Sequence, residues 1–451
     1  MPAGTPRRPR VLYVTPLFGY PPRGGPRLRT YNTVRGLARC ADVSLYVWQP
    51  PDLPDPAAAR QHMRLFCQRV HWPDPLPAAP SGWRGAVSRA VGPARPLARA
   101  VYHRLAARRA APPAAPPVSG GPPPFFDELL RWVAEDAIDV VWLGFGGISY
   151  PLLRLKERTG LPIVLETESV WSRFLLREIP FAPDPERRAA LAAEGAAKEA
   201  EERWGAGIAD VTTAVSEVDA AYFRDIGTPP ERVMLLANTI DVDAYVDANE
   251  HDRTVAAVQA PAICFAGTLS RGTANVDAAL WLLDEIMPRV WRRVPELRLY
   301  LVGRDPAPEL RRRGHGRVAV VGEVASIVPY FRGCLATVVP LRWESGTRFK
   351  ILEAFACRTP VVSTTLGAEG LDVVDGRHLL LADTAETFAD AVVALATRPE
   401  LCAGLVEPAY ALVRERYDLS AAERQAWAVL RHLNLDLSSG FGPEPRRVVH
   451  H

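Results

Sequence analysis

The 451-residue chain has no run of roughly 18 to 20 apolar residues, the length a membrane-crossing helix needs. It also lacks any Cys-x-x-Cys pair, because Cys40, Cys67, Cys264, Cys334, Cys357 and Cys402 are widely scattered. Cys264, Cys334 and Cys357 sit in apolar contexts and read as core thiols, so a reducing, cytoplasmic setting is expected. Nine histidines show no metal-ligand spacing, and no metal site is expected. Excess charge of one sign is small: 54 Lys and Arg against 51 Asp and Glu leave +3, too little to argue for nucleic acid. Arg7-Arg8-Pro9-Arg10 and the apolar stretch behind it resemble a signal peptide. Pro16 interrupts that stretch, however, and it runs into Pro21-Pro22-Arg23 with no small-residue cleavage site. It reads as a buried first strand.

One segment lacks acidic residues altogether. Between Asp74 and Asp127 the charged residues are Arg84, Arg89, Arg95, Arg99, Arg104, Arg108 and Arg109, set in Ala, Pro and Gly. Leu97, Val101 and Leu105 give Arg95 to Arg109 one apolar helical face. The insertion, at about 75–126, reads either as a solvated excursion of the first domain or as a basic surface. In the second reading Arg84–Arg109 makes a peripheral contact with anionic lipid at the inner membrane face, or meets an anionic acceptor.

Hydrophobic residues make up 48% of the chain and charged residues 23%, which is globular composition at a length that implies two domains. Val11 to Thr15, Val43 to Trp48, Val140 to Leu143, Ile163 to Glu166 and Val211 to Ala214 are short apolar runs without alternation, separated by helical patterns. The second half repeats this with Ala262 to Ala266, Leu297 to Val302, Val318 to Val321, Ala336 to Val339 and Pro360 to Ser363. Such runs imply parallel sheets covered on both faces. The expected plan is a first α/β domain over 1–245, a linker over 246–260, and a second α/β domain over 261–418. A helix over 419–436 would pack back on the first domain, with a disordered tail over 437–451. Ser420 and Glu423 have capping-box spacing at the start of that helix. High Ala, Arg and Pro content suggests a GC-rich bacterial genome.

The run from Trp343 to Ala354 carries the chemistry. A strand leads into Ser345-Gly346-Thr347, and a helix opens directly behind. Free backbone N–H groups and the helix dipole make an anion site there. Arg348 and Lys350 put cations in the first helical turn, where they are disfavoured unless a polyanion compensates them. A diphosphate is the natural candidate, and Glu353, one turn on, is positioned for a ribose hydroxyl.

Five ordered stretches resemble the nucleotide-binding half of retaining GT-B glycosyltransferases of the GT4 family, in the branch with a GTRxKxLE motif. They are Phe265-Ala266-Gly267-Thr268-Leu269 with Asn275 and Asp277; Leu301 to Pro306; Val321 to Val324; the motif through Ala356; and Pro360 to Thr364 with Gly367 to Leu371. The first half is similar more loosely, through Gly24-Gly25, Ala209-Asp210-Val211 with Val215 to Asp219, and Asn238-Thr239-Ile240-Asp241. The resemblance implies two doubly wound Rossmann-like domains facing across a cleft, with a nucleotide-diphosphate sugar as co-substrate and neither cofactor nor metal. On the donor side it points to Gly267, Arg304, Val324, Gly346, Thr347, Arg348 and Glu353, with Glu344, Ser345, Lys350 and Arg271 at the reacting centre. On the acceptor side it points to Gly24, Gly25, Gly146, Glu166 and Glu168.

The chain departs from the family twice. The family's two motif glutamates are separated by seven residues, and counting back from Glu353 lands on Ser345, with Glu344 one position early. Either Glu344 serves, or Ser345 and backbone amides contact the sugar. The usual Arg/Lys pair behind Cys264-Phe265 is reduced to Arg271, so Arg348 and Lys350 are expected to supply the missing charge.

Other features have two readings. Gly144-Phe145-Gly146-Gly147 has Ser149 in place of a dinucleotide fingerprint's third glycine, and reads as cleft floor beside the acceptor. Glu166 and Glu168 either orient an acceptor hydroxyl or are ordinary loop residues. Ser216 with Glu217 is a helix cap or a ligand contact. Asp241-Val242-Asp243 stands in the hinge turn rather than behind a donor strand, against a metal role. The expected activity is sugar transfer to a glycan, lipid-linked or small-molecule acceptor. The rival readings are a nucleotide-sugar 2-epimerase of the same fold and a degenerate, non-catalytic binding protein.

Overall fold

The structure, a computed structural model, describes residues 7–73, 122–247, 258–433 and 435. The Arg-rich segment up to residue 121, most of the expected linker and the tail from 437 lie outside them. Seven strands form the first sheet: β1 (Arg10–Thr15), β2 (Asp42–Val47), β3 (Cys67–His71), β4 (Val140–Leu143), β5 (Ile163–Glu166), β6 (Val211–Ala214) and β7 (Val233–Leu235). Their order is β3-β2-β1-β4-β5-β6-β7, and every pairing is parallel. The second sheet holds β8 (Ala262–Ala266), β9 (Arg298–Val302), β10 (Val318–Gly322), β11 (Ala336–Val339), β12 (Val361–Ser363) and β13 (Leu380–Leu381), in the order β10-β9-β8-β11-β12-β13. Both are parallel and doubly wound, the α/β class the sequence pattern implies.

The lack of alternation in the strands follows from burial on two sides. Val11 and Tyr13 of β1 enter one core cluster, while Leu12 and Val14 enter another on the opposite face. The strands missing from the sequence reading are β3, β7 and β13, all at sheet edges and with few buried residues. All six cysteines are free and five are buried. Among the described residues no helix is long and apolar enough to cross a membrane.

The first long helix, Gly25–Cys40, begins at the Gly24-Gly25 pair, with Gly24 at φ 79° as its N-cap. The helix Leu419–His432 lies against it, and Ala426, Val429 and Leu430 share a core with Val34 and Leu37. The expected capping box at Ser420 does not form. Asp418 is the N-cap, so Ser420 falls inside the helix and its hydroxyl turns to Asp418 Oδ2 (3.4 Å). Asp418 Oδ1 accepts from the Val242 amide (3.2 Å), and the Ile240 amide donates to the Tyr417 carbonyl (2.9 Å). The outgoing and returning chain crossings therefore run side by side. The helix Val242–Asp247 already packs on the second half, where Ile240 and Val242 join its core.

Candidate active site in the interdomain cleft

In a doubly wound sheet, ligands bind beyond the carboxyl ends of the two strands where the order reverses. Those pairs are β1 and β4 in the first sheet, and β8 and β11 in the second. The loops after all four strands meet across one cleft of ≈ 1080 Å³. Pro16, Leu17, Phe145 and Glu168 line it from the first half, and Gly267, Arg304, Val324 and Lys350 from the second.

The turn after β11 is built from both halves. Ser345 Oγ accepts from the Val170 amide (3.1 Å), and Thr347 Oγ1 accepts from Asn238 Nδ2 (2.8 Å). Gly346 stands at φ 76°, where a Cβ would lie 2.6 Å from the Glu168 carbonyl oxygen. Arg348 caps the helix Phe349–Ala356 in extended conformation. Its Nη1 donates to the carbonyls of Ser345 and Gly346, while Nε and Nη2 are buried without a partner. Burial lowers the Arg348 pKa. Lys350 Nζ donates to Asn275 Oδ1 (2.7 Å) and sits 4.6 Å from the centre of the Phe265 ring. Burial pushes its pKa down to about 7 against the opposing pull of Glu344, with Arg348 lowering it further. Glu353 Oε1 accepts from the Tyr245 hydroxyl (2.9 Å), and burial raises its pKa. Unpaired guanidinium nitrogens and a desolvated ammonium beside a helix N-terminus form a site that an anion would complete.

Residues 23–244 match the profile described as Glycosyltransferase Family 4, and residues 260–398 match that of Glycosyl transferases group 1. Together they span four fifths of the chain. The chain belongs to the GT-B glycosyltransferases. Among solved structures it resembles HepE of Anabaena in complex with UDP-glucose, with a TM-score of 0.61, 14% identity, and coverage of 94% of this chain and 99% of that one. A glycosyltransferase from Rickettsia africae gives 0.62 at 10% identity, covering 95% and 99%. Sucrose-phosphate synthase from Thermosynechococcus elongatus gives 0.61 at 16% identity, also covering 95% and 99%. At these identities the likeness is one of fold. No curated protein matches the chain by sequence.

In this glycosyltransferase most residues singled out from the sequence reach the cleft. Gly24, Gly25, Glu168, Gly267, Arg304, Val324, Glu344, Ser345, Thr347, Arg348, Lys350 and Glu353 all line it. Arg271 does not: it is exposed and its guanidinium meets Glu309 (3.3 Å). The structure thus leaves the buried Arg348 and the half-buried Lys350 as the cations of the donor turn.

Gly146 is buried against Leu165, Glu166 and Thr167, off the cleft wall. Glu166 was expected to face the cleft, yet its carboxylate is consumed beneath it. Arg29 Nε pairs with Oε1 at 2.9 Å, and Tyr13 (3.0 Å), Thr33 (3.1 Å) and Trp142 (2.7 Å) all donate to it. Glu168, beyond the strand end, is the carboxylate of the pair that lines the cleft, largely buried there. Ser216 is a helix cap, accepting from the Asp219 amide. Asp241 pairs with Arg35 (2.8 Å) and Asp243 with Arg414, so the Asp-x-Asp triplet is engaged in ion pairs. Among the described residues no cluster of His, Cys, Asp or Glu could hold a metal ion.

Three residues of the site were missed from the sequence, two of them with weak signals. Asn275 lies in the Asn-x-Asp-Ala helix start, Asn238 in the hinge turn, and Tyr245, on a helix 108 residues before its partner Glu353, gave none.

Gly346 provides a direct test of the shared turn. Gly346→Ala forces a left-handed backbone on a residue with a Cβ and drives that atom into Glu168 when the halves meet. The expected loss in kcat/KM is about 10- to 100-fold. The clash lies between two halves that can part, so Tm should move by only a few degrees. Steady-state kinetics and calorimetry on one preparation check both.

Proposed function

We propose that this glycosyltransferase moves a sugar from a nucleoside diphosphate donor to an acceptor hydroxyl, with retention of anomeric configuration and without a metal. The observation that carries this reading is the pair of a buried Arg348 and a half-buried Lys350 at the Phe349–Ala356 helix start, with unpartnered guanidinium nitrogens. The retaining branch is favoured by the Gly346-Thr347-Arg348-Phe349-Lys350-Ile351-Leu352-Glu353 motif. The UDP-glucose bound by the Anabaena neighbour supports a nucleotide-sugar donor.

Loss of the nucleoside diphosphate places negative charge on phosphate oxygens. Fixed N–H groups and cations stabilise that charge more as the bond breaks than in the ground state. In this reading Lys350 and Arg348 hold the diphosphate, and Glu353, fixed by Tyr245, takes a ribose hydroxyl. Arg304 and Val324 flank the base. Ser345 and Thr347 bond to the first half through their side chains, and the Ser345 amide donates to Glu344 Oε1 (3.3 Å), so Glu344 turns its other oxygen to the donor sugar. Because the turn is complete only when both halves contribute, closure couples donor binding to assembly of the site.

A thermal-shift comparison of UDP, GDP, TDP and ADP, alone and as sugars, tests this. One nucleotide should raise Tm well above the others by mass action, and a flat response to all would favour the non-catalytic reading. Proton linkage gives a second test. The free protein loses the Lys350 proton near pH 7, whereas a bound diphosphate favours its retention. Binding should therefore take up a proton above pH 7, with affinity falling up to about tenfold per pH unit over that range. Titration calorimetry in buffers of different ionisation enthalpy measures that uptake.

A further inference from the structure

The first-half wall of the cleft has a composition that speaks to the acceptor. Its centre is formed where β1, β4 and β5 lie side by side, with the Gly144 amide bonded to the Val14 carbonyl (2.9 Å). Leu17 follows β1, Phe145 and Ile148 follow β4, and Glu168 and Trp171 follow β5, all lining the cleft. Over the loops 16–24, 144–149 and 167–171 the side chains carrying a formal charge are Glu168 and the exposed Arg23. The Arg29 and Arg35 cations on the same wall are already matched by Glu166 and Asp241.

Two features separate this wall from ordinary packing. Ile148 is 47% exposed in the cleft. Phe145 is held at φ 56°, a left-handed conformation that a bulky residue seldom adopts. Glu168 is also incompletely used. Trp171 Nε1 donates to its Oε1 (2.7 Å), while Oε2 is out of contact with water and has no partner. Its own carbonyl packs on Gly346, and Val170, two residues on, bonds to Ser345. The backbone of this residue thus stands beside the donor turn.

We propose that Glu168 accepts the hydrogen bond of the acceptor hydroxyl, and that the apolar wall of Leu17, Phe145, Ile148 and Trp171 takes an apolar or aromatic body attached to it. The acceptor class is an amphiphile, a hydroxyl attached to an apolar body. A small, fully hydroxylated sugar would leave Ile148 facing water. The proposal rests on the transferase reading above.

Its test uses the full chain saturated with the donor identified by thermal shift. The acceptors are methyl β-glucoside, octyl β-glucoside below its micelle threshold, and glucose 6-phosphate. The two glucosides offer the same hydroxyls and differ only in the apolar body. Octyl β-glucoside should be used with a kcat/KM at least about tenfold above the methyl compound and above glucose 6-phosphate, which also lacks the apolar body. In Ile148→Asp the octyl advantage should shrink towards unity. In Glu168→Gln, which can still accept from Trp171, transfer should fall at least tenfold while the nucleotide-induced rise in Tm persists. Equal use of the two glucosides, use of neither, preference for glucose 6-phosphate, or an undiminished Glu168→Gln would each overturn the proposal. Failure of every nucleotide to stabilise the protein would instead strike the transferase reading itself.

Discussion

Lys350→Ala should lower kcat by about 10²- to 10³-fold, the usual cost of removing one fixed electrostatic partner of a developing anion. Lys350 Nζ bonds to Asn275 Oδ1, so the ammonium is aimed by a fixed acceptor rather than free to swing. Loss of this group should appear in kcat more than in KM, because it acts on charge that grows as the sugar departs. The fold should survive. Burial lowers the pKa of this lysine, so the unfolded chain holds the proton more tightly than the folded one, and the cation contributes no stability at neutral pH. Single-turnover rates with a radiolabelled sugar nucleotide and a parallel melting curve measure the two effects. A variant retaining full turnover would remove Lys350 from the phosphate site.

Glu166→Ala should be the most destabilising of the substitutions considered. The carboxylate receives Tyr13, Thr33 and Trp142 and pairs with Arg29, all in the first-half core. Its removal leaves a guanidinium and three donors without their acceptor. Breaking a buried pair on one side costs about 3–5 kcal/mol, and in a domain of this size that lowers Tm by roughly 6–20 °C. Arg29 also donates to Asn238 Oδ1 (2.9 Å), and Asn238 holds Thr347, so the disturbance reaches the donor turn. Urea unfolding followed by tryptophan fluorescence would report it, Trp142 lying inside the network. A loss below about 1 kcal/mol would mean that Glu166 carries little of the pairing. Glu166→Gln, which keeps an acceptor for the same donors, should lose less.

The contrast between Glu166 and Glu168 marks what the sequence could and could not reveal. Both stood near the end of a strand written as Ile163 to Glu166, and the strand forms over those residues. Whether a carboxylate turns inward or out depends on partners more than a hundred residues away in Tyr13, Arg29 and Thr33. No local pattern encodes that. Central strands were legible because burial on both faces leaves an uninterrupted apolar run, whereas at the sheet edges β3 mixes Gln68, Arg69 and His71 into its run and β7 and β13 are only three and two residues long. The donor turn was legible because cations at a helix start contradict local electrostatics unless something else compensates. Arg271 stood in the right loop, but a long exposed side chain takes its direction from neighbours, here Glu309.

The helix Leu419–His432 has a consequence for how this protein is made. The first sheet is fully synthesised by Leu235, yet the surface of Gly25–Cys40 is covered only by residues that emerge almost two hundred positions later. At about 5–20 residues per second, the ribosome leaves that apolar face waiting roughly 10–40 s for its lid. The second sheet has to form in the interval, as a guest inside an unfinished host. A nascent chain stalled before Leu419 would present the Gly36 side of that helix, which Ala422 otherwise covers, to whatever chaperone or neighbour is at hand, and on release the first half would close last.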